Sequence, residues 1–353
     1  MKNKIFVIMT IASIGFIITL ISAIIIWVDP FFHYHKPIEG LTYPLYSERY
    51  QNNGIVRHFD YDAIITGTSM TENFKASECD ALFGTHAVKV PFSGGYLNEI
   101  DANLKRAFSE NCEIKLVVRS LEWGNLVNDK DAWNDIYTYP YYLYDDNVFN
   151  DVSYVFNKTV FLSAIGRLLK NEPEDANTTF DDYEYWSDRF EYGKEAVRNT
   201  YVRPEISLQK TVLSMKEKVN AAENMEYNIL DTVKANPETT FYIFFPPYSV
   251  AYWDIAQREG KLDYSIELQK IAIEAMLPYD NVKIFSFCHK KEWVTNLDNY
   301  IDANHYSGKI NSDILRYMAD DSSEYLITKE NYMVYIDEIR EFYSNYDYEK
   351  IYE

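Results

Sequence analysis

The chain has 353 residues and a formal net charge of -20 at pH 7, from 54 Asp and Glu against 34 Lys and Arg. That balance argues against nucleic acid as a partner, because phosphate binding depends on clustered Lys and Arg. The length exceeds what one minimal core needs and fits either one enlarged α/β domain or two domains.

The first segment differs from the rest, since Ile5 to Val28 contains no charged residue and no proline. At about 1.5 Å per residue it is long enough to cross a hydrocarbon core of about 30 Å. Lys2 and Lys4 precede it and Asp29-Pro30 closes it, so the positive-inside rule places the N-terminus in the cytoplasm and everything after Asp29 outside the cell membrane. A cleaved secretory signal would carry a shorter apolar region, about 7 to 15 residues, and a small-residue cleavage site. Here Ser22-Ala23 is followed by Ile24-Ile25-Ile26-Trp27-Val28, which argues for an uncleaved single-pass anchor in the lipid bilayer.

Residues 29–55 are rich in aromatics, prolines and polar residues and read as an ordered membrane-proximal stalk. Its His33-Tyr34-His35 offers two imidazoles on one face of an extended segment, but no third ligand is apparent, and no C-x-x-C or H-E-x-x-H is present. No metal or other cofactor is expected. From 56 to 320 the pattern is that of an α/β domain. Tyr61 to Thr66 is an apolar run ending in glycine, hence a buried strand. A helix over Thr71 to Phe83 stops at Gly84, His86 to Pro91 forms a second strand, Asn98 to Ser109 a second helix with Ile100, Leu104 and Phe108 on one face, and Ile114 to Val118 a third strand. This βαβαβ alternation predicts a parallel sheet with helices on both sides.

Between about 123 and 234 the rhythm breaks into an acidic, Tyr-rich insertion with helical stretches near Ser153 to Leu169 and Leu208 to Lys234, placed at the carboxyl edge of the sheet. The alternation resumes with a strand at Thr240 to Phe245, a helix at Leu262 to Met276, a strand at Val282 to Phe287 and a helix from Gly308 to Met318. Residues 321–353 form an acidic helical tail expected on the outside of the domain. Cys79 and Cys112 flank one βα unit and can bridge in an oxidising exterior, while Cys288 reads as core. The 32 tyrosines suit stacking on sugar rings, but half-buried packing is the stronger reading of them.

Two short motifs carry the chemistry. Ser69, in Gly67-Thr68-Ser69, leaves the first strand at a turn whose free N–H groups can meet a developing oxyanion. The same residue is also a good helix N-cap. A serine needs a base, and of the six histidines only His305 has an acidic residue three positions before it, Asp302, and opens a helix after the last strand. All strands of a parallel sheet end on one side, so the His305 loop and the Ser69 turn can share that edge. There Asp302 can fix the imidazole tautomer and His305 can take the serine proton.

On these residues the chain resembles the SGNH/GDSL hydrolase superfamily, in particular its membrane-anchored, outward-facing branch associated with modification of bacterial cell-surface polysaccharide. Gly67-Thr68-Ser69 matches the first block, and Asp302 with His305 the last. Gly94 or Gly95 stands for the glycine of the second. The resemblance implies a three-layer α/β/α flavodoxin-like fold, an oxyanion hole built from Ser69, Gly94 or Gly95 and an amide, and acyl-enzyme chemistry on a surface glycan or other acyl acceptor. The third block departs from the pattern: Arg119-Ser120-Leu121-Glu122-Trp123-Gly124-Asn125 supplies only Asn125, late, while Glu122 stands nearer the expected position. Arg119, at the end of strand three, and Tyr248, in Pro246-Pro247-Tyr248-Ser249 after strand four, are candidate substrate contacts. A partner for Glu122 is the other reading of Arg119. A transferase working outside would need an acyl donor passed through the membrane by a multi-pass partner. The alternative to an enzyme is an inactive SGNH-like domain that binds glycan or scaffolds a surface-polymer assembly complex.

Overall fold

A computed structural model describes residues 2–134, 136, 139–170 and 178–352. In chain order the elements are α1 (Lys2–Val28), α2 (Glu48–His58), β1 (Ala63–Gly67), α3 (Ala76–Phe83), β2 (Ala87–Pro91), α4 (Leu97–Glu110), β3 (Leu116–Ser120), α5 (Val152–Val155) and α6 (Lys158–Leu169). They continue with α7 (Lys194–Thr200), α8 (Met215–Met225), α9 (Asp231–Ala235), β4 (Thr240–Phe245), α10 (Val250–Arg258), α11 (Leu262–Met276), β5 (Val282–Ser286), α12 (Lys291–Val294), α13 (Gly308–Ala319), β6 (Leu326–Ile327) and α14 (Tyr332–Asn345). Contacts divide the chain into two units, residues 1–59 with 135–179 and residues 60–134 with 180–353.

The second unit is α/β. Every residue of β1, β2 and β3 is buried, the burial expected of strands covered on both faces of a parallel sheet. The sheet has six strands in the order β2-β1-β3-β4-β5-β6. The first five pair in parallel, with Gly67 opposite Pro91 and Thr66 opposite Arg119, and only β6 runs antiparallel, on β5. Because β2 and β3 lie on opposite sides of β1, the connections diverge at its carboxyl end, which is where open α/β sheets form a crevice.

Helix α4 buries Leu97, Ile100, Leu104 and Ala107, an apolar stripe at helical spacing. Helix α10 escaped the sequence reading because it begins directly after Pro246-Pro247; Ser249 caps it, accepting from the Ala251 N–H. The segment read as an acidic helical tail holds the edge strand β6, and α14 buries Tyr335, Ile336, Ile339 and Tyr343, with the Tyr343 ring stacked on Trp253 at 4.1 Å. Its inner face is thus part of the core, and only the opposite face is exposed. All three cysteines are free, Cys79 and Cys288 buried and Cys112 exposed, so the Cys79–Cys112 bridge does not form.

The first unit is helical. Helix α1 is long and apolar enough to cross a membrane, and from Asn3 to Leu20 every side chain is exposed. Its end is different: Ile25, Val28 and the following Phe31 pack with Leu143, Tyr154, Val160 and Ala164. Asp29, at φ 45, turns the chain out of the helix. Its carboxylate accepts from the N–H groups of His33, Tyr34 and His35 and from the Tyr154 hydroxyl. Helix α2 begins in the stretch read as a stalk and runs three residues past its expected end at residue 55. It buries Gln51, Asn52 and Asn53, so no apolar stripe announces it.

Candidate functional site

The turn that carries Ser69 follows from packing at the carboxyl end of β1. Gly67 has φ +147, and a Cβ there would strike the Ser120 hydroxyl and approach Thr71 Cγ2 at 2.8 Å, so glycine is required both by conformation and by the proximity of β3. The Thr68 N–H reaches Ser120 Oγ at 3.4 Å, and the Thr71 hydroxyl donates back to the Thr68 carbonyl at 2.8 Å. Ser69 opens a single 3-10 turn, Ser69–Thr71, capped by Thr68, and α3 starts only at Ala76. Ser69 is therefore not the helix cap, and its side chain is left for another partner.

That partner is His305. Ser69 Oγ lies 2.9 Å from His305 Nε2, and His305 Nδ1 lies 2.7 Å from Asp302 Oδ2. Asp302 Oδ1 accepts the backbone N–H groups of His305 at 2.7 Å and Asn304 at 2.8 Å. Burial alone would push the Asp302 carboxyl up, but the hydrogen bond and charge of His305, with those two N–H groups, bring it below the ordinary value. Nδ1 thus faces an ionised acceptor, which leaves Nε2 as a base toward Ser69.

Several tethers hold this loop. From the side of Ser69, the Met70 carbonyl accepts from the Asn311 amide at 2.9 Å and from the Tyr306 hydroxyl at 3.4 Å. From the side of α10, the N–H and hydroxyl of Ser249 both donate to the Ala303 carbonyl, and the Tyr300 hydroxyl donates to the Pro247 carbonyl at 2.6 Å. The Pro246-Pro247-Tyr248-Ser249 segment thus supports the Asp302–His305 loop from beneath. Tyr248 itself is buried, its ring 5.0 Å from Trp123 and 4.6 Å from Tyr252, and it presents no surface to a substrate.

Arg119 is likewise interior. It is 2% exposed, with its guanidinium 3.6 Å from Asp101 on α4, so it reaches neither a substrate nor the edge of the site. Glu122 is buried beside the Thr68 and Ser120 hydroxyls. Its burial pushes the carboxyl up, against the partial relief of those hydroxyls and of Arg119.

The glycine loop after β2 divides its two residues. Gly95 is buried, its N–H donates to the Phe92 carbonyl at 2.7 Å, and its Cα lies so close to Phe92 that a Cβ would meet Phe92 Cβ at 2.6 Å. It shapes the turn and has no N–H to offer an oxyanion. Gly94 is exposed, with φ +59, and among the described residues neither its N–H nor that of Ser69 has a backbone acceptor. Asn125 approaches from the carbonyl side, donating to the Gly95 carbonyl at 3.3 Å.

Two contributors had no signal in the sequence. Asn134 donates to the Gly94 carbonyl at 2.5 Å and is held by Glu99, which accepts its N–H at 2.8 Å. Trp186 meets the His305 imidazole edge-on, ring centres 5.6 Å apart, and is held there by Asn73, which accepts the N–H groups of Trp186 and Ser187 at 3.0 Å. Both come from irregular acidic stretches where one aromatic or amide looks like the next. The Ser69–His305–Asp302 group is open, with the side chains of His305 and Asp302 each 31% exposed. Among the described residues no group of three or more His, Cys, Asp or Glu is arranged to hold a metal ion.

Comparison of the chain with protein-family models, with curated proteins and with solved structures gives no significant match to any of them.

Proposed function

We propose that this protein is a membrane-anchored, extracytoplasmic serine esterase or O-acyltransferase of the SGNH type, acting on ester-linked acyl groups, acetyl foremost, of a cell-surface polysaccharide. The observation that carries the reading is the continuous relay from Ser69 Oγ through His305 to Asp302, with separations of 2.9 and 2.7 Å. The strand order 2-1-3-4-5 supports a flavodoxin-like doubly wound sheet with the site at its switch point. Helix α1, with Lys2 and Lys4 before it, supports an anchor whose N-terminus is cytoplasmic.

In this reading Ser69 Oγ attacks the acyl carbonyl as His305 Nε2 takes its proton, and Asp302 stabilises the imidazolium. The N–H groups of Ser69 and Gly94 receive the oxyanion. Collapse expels the sugar alkoxide, which takes the proton from His305 and leaves the acyl group on Ser69. Water or a second sugar hydroxyl then gives its proton to His305, attacks the ester and restores the serine. Transfer outside the cell draws its acyl group from a donor carried through the membrane by a multi-pass partner. With an O-acetylated polysaccharide as substrate, acetate release or transfer followed by NMR should fall to background in Ser69→Ala. An unchanged rate in that variant contradicts the mechanism.

One observation favours a second reading, an inactive domain that binds glycan or scaffolds an assembly: Gly95 spends its N–H on Phe92, and Asn125 is engaged with the Gly95 carbonyl. Oxyanion donors are thereby fewer than in a fully equipped site, and loss of one typically lowers rates by about 100- to 1,000-fold.

A further inference from the structure

We infer that the segment around α6 is a second membrane element, a collar that lies in the outer lipid boundary beside α1. The inference rests on the reading that α1 spans a bilayer. A hydrocarbon core of about 30 Å takes about 20 helical residues. Counted from Ile5, the first residue after the last charge before the span, that length reaches Ile24. The protein surface begins sooner. Ile21 and Ile24 already pack on the cluster that α6 forms with the end of α1, together with Phe161 and Leu168. The last turn of α1 inside the hydrocarbon is therefore the turn that α6 covers. A thinner core of about 27 Å ends at Ser22 and still includes Ile21, and any tilt of α1 only lengthens the overlap.

The side chains on the rest of this segment suit that depth. Leu162 and Leu169, two turns apart on α6, are 55% and 72% exposed. In the preceding stretch Phe149 and Phe156 flank the short α5, and with Val152 they are 88%, 53% and 55% exposed. Such a concentration of bare aliphatic and aromatic side chains is costly in water and favourable at the acyl boundary. Lys158 and Lys170, at the two ends of α6, are exposed and long enough to reach headgroup phosphates. Trp27, 58% exposed on the same final turns of α1, falls at the level where membrane proteins carry their aromatic belt. The occupant of this apolar face is the outer leaflet, continuous with the lipid already surrounding α1. Anchoring then comes from two elements, and the collar fixes the depth and rotation of the unit at the surface.

The test is site-directed spin labelling of the full chain in vesicles of phosphatidylcholine and phosphatidylglycerol. Single labels go on Leu162→Cys, Leu169→Cys and, as reference, Ile11→Cys, in a Cys112→Ser background that removes the exposed thiol. The expected result is loss of access to an aqueous nickel chelate and gain of collisions with lipid-dissolved oxygen at residues 162 and 169, shifted toward the values at residue 11. Free chelate access at either collar position, with residue 11 shielded, overturns the collar and leaves the anchor standing. Chelate access at residue 11 overturns the spanning reading and the collar with it.

Discussion

Replacing Asp302 by Asn tests the relay through the one atom that sets its direction. In the structure Asp302 divides its oxygens: Oδ1 takes the N–H groups of His305 and Asn304 at 2.7 and 2.8 Å, and Oδ2 takes His305 Nδ1 at 2.7 Å. An asparagine has one oxygen, and two fixed backbone donors claim it, so the amide nitrogen must face Nδ1. A donor there forces Nδ1 to accept, which moves the ring proton to Nε2, 2.9 Å from Ser69 Oγ. The base is then blocked by its own proton while the loop keeps its shape. The expected loss is about 10⁴-fold, equivalent to about 5 kcal/mol of barrier. The assay is the rate of phosphonylation of Ser69 by a fluorophosphonate, read by intact mass, alongside the thermal unfolding midpoint. A variant as stable as wild type that reacts about 10⁴ times more slowly fits the argument. Reaction at the wild-type rate refutes it, because Asp302 would then have no part in setting the tautomer.

Other outcomes follow from buried polar groups. Glu122 titrates above its ordinary value of 4.5 because it is buried. Over the window from that value up to the raised one the folded state holds the extra proton, so stability falls as pH rises. Glu122→Gln removes the group, so its unfolding midpoint relative to wild type should climb as pH rises above that ordinary value, and a flat difference would mean that the carboxyl is not desolvated. Asp29→Ala leaves the N–H groups of His33, Tyr34 and His35 without their acceptor. At about 1 kcal/mol or more for each, the helical unit should lose about 3 kcal/mol and open to limited proteolysis within residues 139–170. Unchanged protease resistance would contradict the assigned role of Asp29.

Much of the sheet was legible because its strands are unbroken apolar runs ended by glycine or proline, as in Ile64-Ile65-Thr66-Gly67 and Phe244-Phe245-Pro246. Ser69, His305 and Asp302 stood out by type and spacing, and the parallel sheet explains why residues 236 positions apart meet at one edge. The supporting parts were harder to see. Helix α2 buries amides, so it lacks the periodicity that betrays an amphipathic helix. Arg119 follows strand alternation into the interior, and only its contact with Asp101 on another element shows that it serves packing. Tyr248 reads as pocket lining because its segment follows strand four, whereas the structure buries its ring and uses Pro247 and Ser249 of the same segment to brace the histidine loop. Trp186 and Asn134 are placed by contacts with Asn73 and Glu99 that no local pattern encodes.

The most direct measurement is the intact mass of the full chain, reconstituted in vesicles, after exposure to a serine-reactive phosphonate, with His305→Ala alongside. The account predicts one adduct, mapped to Ser69, that is lost in the variant. An accessible, folded protein that takes up no adduct, or one labelled equally without His305, would contradict a working serine–histidine pair and turn attention to the glycan-binding reading.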